Sequence, residues 1–154
     1  MPLPNCGVDV GTRLTWWGAR PHPSCLVRET RASEIEAMIF RIDWSNRLTR
    51  DPRLDRTESL VRMCRSLWSD PGFRFVDFDR RGFVFFGLPQ GDTTRVNLIG
   101  VLPEHRGQGV AKSLLALAPT SYIIAGTYED NEASCALYKK IGLEIVRRER
   151  VHNE

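Results

Sequence analysis

The sequence is poor in the features that most often betray a function. It has three histidines and four cysteines, Cys6, Cys25, Cys64 and Cys135, with no CxxC pair among them, so neither a zinc ribbon nor a redox motif is expected. His22 and Cys25 have the separation of half a zinc motif, but no second ligand pair follows and prolines flank the histidine; no metal is expected. Cys64 and Cys135 fall within apolar helical patterns, where a reduced, buried thiol is the common outcome. No apolar run approaches the roughly 18 residues of a membrane span. The start, MPLPNCGVDV, lacks the charged-then-apolar layout of a signal peptide. A cytoplasmic protein with no membrane partner is therefore expected. Charge is equally unspecific: 22 basic against 19 acidic residues give +3, and the arginines are spread among acidic neighbours. That excludes the basic stripe of a nucleic-acid binder. Internal repeats and low-complexity tracts are also missing.

What is present is one domain's worth of core: 154 residues, 42% of them hydrophobic. Residues 1–24 read as an N-terminal extension, with LTWWGAR as a short strand or a segment packing two tryptophans, and residues 25–154 as the single domain. CLVRET predicts a strand. Ser33 and Glu36 make a capping box before a helix carrying Ile35, Met38, Ile39 and Ile42. A second helix spans roughly Thr57 to Ser69 and ends at Asp70-Pro71-Gly72. FRFVDF, DRRG and FVFFGL predict a hairpin, and TRVNLIGVL a further strand. A glycine-broken loop, PEHRGQG, opens onto a helix with Val110, Leu114, Leu115, Leu117 and Ala118 inward. The strand SYIIAGTY, a helix from Asn131 to Ile141 stopped by Gly142, and the strand GLEIVRRERV complete the chain. This order predicts a mixed sheet with helices against its faces.

Chemistry concentrates in NLIGVLPEHRGQGVAKSLL. A helix's first amides have no internal partner and its dipole is positive there, so a loop feeding it is an anion site. Gly107 and Gly109 let backbone approach phosphate oxygens, and Arg106 adds charge. A Walker loop needs glycine before Lys-Ser, but Ala111 precedes Lys112-Ser113. A dinucleotide fingerprint fails on the order of Gly107, Gly109 and Ala111.

The run V-L-P-E-H-R-G-Q-G-V-A resembles the acetyl-CoA signature of the GNAT superfamily of N-acetyltransferases, R/Q-x-x-G-x-G/A, at Arg106, Gly109 and Ala111. N-E-A-S-C-A-L-Y-K-K-I-G resembles that family's N-x-x-A-x-x-L-Y-x-x-x-G helix. Together the two matches cover roughly the last 60 residues. The resemblance implies an α+β fold whose mixed, mostly antiparallel sheet is flanked by helices on both faces, acetyl-CoA as co-substrate and a small-molecule amine as acceptor. It further implies that backbone amides of Arg106, Gly107, Gln108, Gly109, Val110 and Ala111 hold the pyrophosphate. By the same resemblance Ile99 to Val101 are expected to pair with the pantetheine arm and the Val101 amide to polarise the acetyl carbonyl. Asn131 is expected to touch the cofactor, and Tyr138 to protonate the departing thiolate. The alternatives are a helix cap for Asn131 and a core aromatic for Tyr138. A tyrosine of pKa about 10 facing a thiol of pKa about 8.5 donates uphill, so hydrogen bonding to developing charge matters as much as full transfer.

The general base is not evident. Family members often place glutamate on the strand before the loop, where this chain has Asn97, Leu98 and Ile99; Glu104 and His105 read as solvent-facing. The segment MIFRIDWSNRLTRDPRLDRTESLVRMCRSLW loosely resembles the matching region of TDP-fucosamine-type acetyltransferases, through Arg47, Asp51, Arg53, Asp55 and Trp68, with Leu48 where an aromatic is usual. That points to a nucleotide-linked amino sugar. Acetylation of a protein N-terminus, lysine or polyamine, and a non-catalytic acyl-CoA-binding module, are the other readings. The sequence ends with the last predicted strand, at VRRERVHNE, so the acceptor pocket is expected to be closed either by a partner subunit in a homodimer or by the extension carrying Trp16 and Trp17.

Overall fold

A computed structural model describes residues 8–23, 27–42, 56–77 and 79–153. In chain order the elements are β1 (Val8–Ala19), β2 (Val27–Glu29), α1 (Ala32–Ile39), α2 (Arg56–Ser69), β3 (Phe73–Asp77) and β4 (Gly82–Phe86). They continue with β5 (Thr93–Val101), a 3-10 turn (Pro103–His105), α3 (Val110–Leu115), β6 (Tyr122–Tyr128), α4 (Glu132–Lys140) and β7 (Glu144–Asn153). One seven-stranded sheet has the order β2-β3-β4-β5-β6-β1-β7, and among its pairings only β5 with β6 is parallel. This is the mixed, mostly antiparallel α+β arrangement expected.

The apolar run of β4 lies inside the sheet, with both of its faces covered. Phe83 and Phe85 pack with Val76 against Ile35, Met38 and Ile39 of α1 and Leu60, Cys64 and Leu67 of α2. Val84 and Phe86 face the other way, towards Val110, Leu114 and Leu115 of α3 and Tyr138 of α4. All five residues of β4 are buried, and each large side chain among them contributes roughly 1.5–3 kcal/mol by leaving water. Gly72, at φ +154°, lets the chain pass β4 after α2; a Cβ there would overlap the Phe86 carbonyl.

Two expectations are corrected. Arg31 stands at the N-cap of α1 with no side-chain cap bond, so Ser33 and Glu36 form no capping box: burial of Ile35, Met38 and Ile39 sets where the helix begins. The larger correction concerns residues 1–24. Residues 8–19 are an interior strand, bonded to β6 on one side and β7 on the other. The physical reason is period-two alternation: Leu14 and Trp16 enter the α3–α4 core, while Arg13, Thr15 and Trp17 face the opposite side. β1 is the sole sheet neighbour of β7. At the far end of α4, Gly142 (φ 93°) makes the left-handed turn, with the Leu143 amide donating to Tyr138 O at 2.9 Å and the Gly142 amide to Lys139 O at 3.1 Å.

Candidate active site

A cleft begins where the two parallel strands part. β5 and β6 pair only from Thr93 opposite Tyr122 to Val96 opposite Ala125, although both run on. The departure coincides with a bulge at Asn97: Phe86 pairs with Val96, but Phe85 pairs with Leu98. One extra residue switches faces, so Val96 belongs to the α3–α4 core and Leu98, two residues later, to the α1–α2 core. Beyond the bulge the Leu102 amide donates to the Arg81 carbonyl at 2.8 Å. Backbone groups alternate in direction along a strand, so those of Gly100 and Leu102 point to β4 and those of Ile99 and Val101 point into the gap. An open edge of this kind can accept a ligand's amides as a further strand.

The gap is a cavity of about 650 Å³. On the helical side of α3 and α4 it is lined by Arg106, Gly107, Gly109, Val110, Ala111, Lys112, Asn131, Tyr138 and Lys140. On the other side it reaches Arg13, Pro21, His22, Ile42, Gly126 and Tyr128. The opening therefore passes through the sheet, giving one ligand access from each face. Among the described lining residues every formal charge is positive.

At the glycine loop Gly107 and Gly109 take φ of 80° and 78°, values that residues with side chains resist. The Ser113 amide and hydroxyl both donate to Gly109 O, at 3.1 and 3.0 Å, which pins the loop to α3. Among the described residues no acceptor bonds the amides of Gly107 through Lys112. The Arg106 amide donates to Pro103 O at 3.4 Å, closing the 3-10 turn, so the amides without an acceptor start one residue later. The Gln108 side chain points elsewhere, its Oε1 accepting from Arg81 Nη1 at 3.3 Å.

Arg81 in turn organises the β3–β4 turn. Its Nε and Nη2 reach the two oxygens of buried Asp77 at 2.7 and 2.9 Å, and the amides of Asp79 and Arg81 donate to the same carboxylate at 3.1 and 3.3 Å. The side-chain bonds from Arg81 hold the Asp77 carboxyl below the usual carboxylate value.

Ile99 and Val101 line the cleft as well. Asn131 is the N-cap of α4, its Oδ1 accepting from the Ser134 amide at 3.2 Å, and it borders the cleft at the same time. Tyr138 is 3% exposed, with its ring 6.0 Å from that of Trp16: it is a core aromatic that also reaches the cavity. Glu104 is exposed and paired with Arg41 at 2.6 Å, whereas His105 borders the cleft. The sequence reading missed Arg13, His22, Gly126, Lys112 and Lys140. For Arg13 the signal was the alternation with Leu14 and Trp16. Trp68 is 63% exposed and donates to Glu36 at 2.9 Å, away from the cleft wall. Arg47, Leu48, Asp51, Arg53 and Asp55, like Cys6 and Cys25, lie outside the described residues.

Comparison with known proteins agrees with this geometry. Residues 12–143 match the acetyltransferase (GNAT) family model. No curated protein gives a significant match. A putative GNAT acetyltransferase from Novosphingobium aromaticivorans superposes with TM-score 0.58 at 15% identity, covering 90% of this chain and 61% of that one. A Staphylococcus epidermidis protein of unknown function gives 0.68 at 14% identity, covering 90% and 59%. The aminoglycoside acetyltransferase AAC(6')-Iy, solved with a CoA-containing bisubstrate analogue, gives 0.57 at 18%, covering 84% and 97%. The chain thus spans about three fifths of the first two structures. With the family model matching most of its length, the chain belongs to the acetyltransferase (GNAT) family.

Proposed function

We propose that this chain is an N-acetyltransferase that takes acetyl-CoA from the α3–α4 face and a primary amine from the opposite face. The observation that carries the reading is the through-going gap left when β6 parts from β5 at the Asn97 bulge. Its residues fit the coenzyme chemically. The amides of Gly107 to Lys112 with Arg106 and Lys112 suit a diphosphate, Lys140 supplies a further cation at the same face, and the outward groups of Ile99 and Val101 suit an amide-bearing arm. Bound there, acetyl-CoA supplies an acetyl group activated as a thioester.

The chain's own contributions follow from position. The Val101 amide donates to the carbonyl oxygen as negative charge grows on it. Tyr138 donates to the sulfur as the C–S bond breaks and the N–C bond forms. Cys135 is not the nucleophile: its Sγ is engaged with Thr127 and the carbonyls of Tyr128 and Glu129, and transfer is direct. The amine's proton leaves through His22 or His105, the two imidazoles on the cleft wall, since no carboxylate lines it among the described residues.

Calorimetric titration with acetyl-CoA, followed by free-thiol release over a panel of amines, tests this. Saturable binding with amine-dependent release is expected. Binding without release for any amine would make the chain an acyl-CoA-binding module, and no binding would remove the coenzyme site.

A further inference from the structure

The cleft distributes its positive charge between two faces, and only one face is accounted for by coenzyme phosphates. Arg106, Lys112 and Lys140 belong to the loop, α3 and α4. Arg13 enters from the other side, because its neighbours Leu14 and Trp16 do not: they are buried beneath α3 and α4, and a strand sends adjacent side chains to opposite faces.

The surroundings of Arg13 form a slot for a flat cation. Opposite Thr15 on β6, diagonal to Arg13, stands Gly126, and a Cβ there would lie 2.5 Å from Arg13 Nη2 and 3.1 Å from Cζ, so the missing side chain is what lets the guanidinium lie against the strand. The ring of Tyr128 is 5.4 Å from Cζ, close enough for a cation–π contact. Among the described residues no carboxylate pairs with Arg13. Its cross-strand neighbour Glu149 is bonded instead to Arg147 at 3.1 Å. A half-buried guanidinium held by an aromatic face and lacking a counter-ion among the described residues keeps its donor fork for an oxyanion.

Resting on the proposed acetyl transfer, we propose that the acceptor is an amine bearing its own anionic group, a carboxylate or a phosphate, and that Arg13 binds that group on the face opposite the coenzyme phosphates. The same lining disfavours polycationic acceptors. An amine carrying further positive charges meets Arg13 with no acidic residue on the described wall to offset it.

The test uses the full chain saturated with acetyl-CoA and measures thiol release and acceptor KM. Aspartate, glutamate and their diamides form one arm, glucosamine 6-phosphate and a UDP-linked amino sugar a second, and spermidine and neamine a third. Turnover in the first arm that is lost in the amides identifies a carboxylate; preference for the second identifies a phosphate; both support the proposal. Arg13→Gln should raise the KM of the preferred anionic acceptor by about 20-fold or more, the loss of a charge-assisted pair, with KM for acetyl-CoA within about twofold. Arg13→Lys should recover part of the loss. Gly126→Ala keeps the charge but moves the guanidinium, and should raise the same KM, with thermal melting showing all three variants folded. Equal or better kcat/KM for spermidine or neamine overturns the proposal. So does an unchanged acceptor KM in Arg13→Gln, or turnover of no anionic amine by a chain that binds acetyl-CoA. Failure to bind acetyl-CoA at all is distinct: it sinks the transferase reading, and the proposal with it.

Discussion

Replacing Arg81 with Met separates what the β3–β4 turn does for stability from what it does for the site. Asp77 has a fully buried side chain, while its partner's is 20% exposed, so the variant leaves a carboxylate in the interior without the Arg81 guanidinium beside it. Removing one partner of a buried pair costs about 3–5 kcal/mol, and partial access of water on the Arg81 side argues for somewhat less, about 2–3 kcal/mol. At this chain length that is a fall in Tm of about 4–12 °C at neutral pH. The sign of the pH dependence follows from the depressed Asp77 pKa. Its stabilisation is present above the ordinary carboxylate value of about 3.9 and is lost as pH falls through the lower folded value, so the gap between the two proteins should narrow below that pH. The contact with Gln108 is exposed and 3.3 Å long, worth at most about 0.5 kcal/mol, so acetyl-CoA affinity should change less than about threefold. Circular dichroism melts between pH 7 and pH 3, with calorimetry at pH 7, read both. Equal melting at neutral pH, or a gap that ignores pH, would refute the reasoning.

Tyr138→Phe should lower kcat about tenfold or more with acetyl-CoA affinity nearly unchanged, and equal turnover in steady-state kinetics removes the hydroxyl from the reaction. Gly109→Val places a β-branched residue at φ 78°, costing about 1–2 kcal/mol of backbone strain; calorimetry should find acetyl-CoA binding weakened at least about tenfold, and wild-type affinity contradicts the loop assignment. A chain starting at residue 21 loses Leu14 and Trp16 from the core and the strand neighbour of β7. It should show no cooperative thermal transition, and a sharp melt near the parent's would mean that β1 is dispensable.

The parts of the fold that could be read in advance are those written by local chemistry. The hairpin from Phe73 to Phe86 and the left-handed glycines at 107, 109 and 142 each follow from a few neighbouring residues. The bulge at Asn97 does not. Nothing in TRVNLIGVL distinguishes an evenly alternating strand from one with an extra residue, and the difference is made by which faces α1, α2, α3 and α4 cover. The placement of β1 is less legible still, since its partners lie more than a hundred residues away, as with Trp16 opposite Ala125. LTWWGAR shows that an apolar strip must be buried, not between which strands. The arginine-rich segment 43–55, which suggested an amino-sugar acceptor, lies outside the described residues.

This unevenness has a physical cause that bears on function. The coenzyme side needs backbone: free amides, positive φ and an open strand edge, and those requirements leave glycine and proline at fixed offsets within about 15 residues of one another. The acceptor side needs side chains brought together by sheet pairing. Because β1 lies between β6 and β7 while β2 is at the far edge, the connection after Ala19 has to cross the sheet, and Pro21 and His22 come to the cleft along it. The two prolines flanking His22 stiffen that crossing. Thus the segment read in the sequence as an extension carries Arg13 and His22, which the proposed function puts on the acceptor side. A family motif can identify what donates the acetyl group from a dozen residues, whereas what receives it depends on a strand whose position only the whole sheet determines.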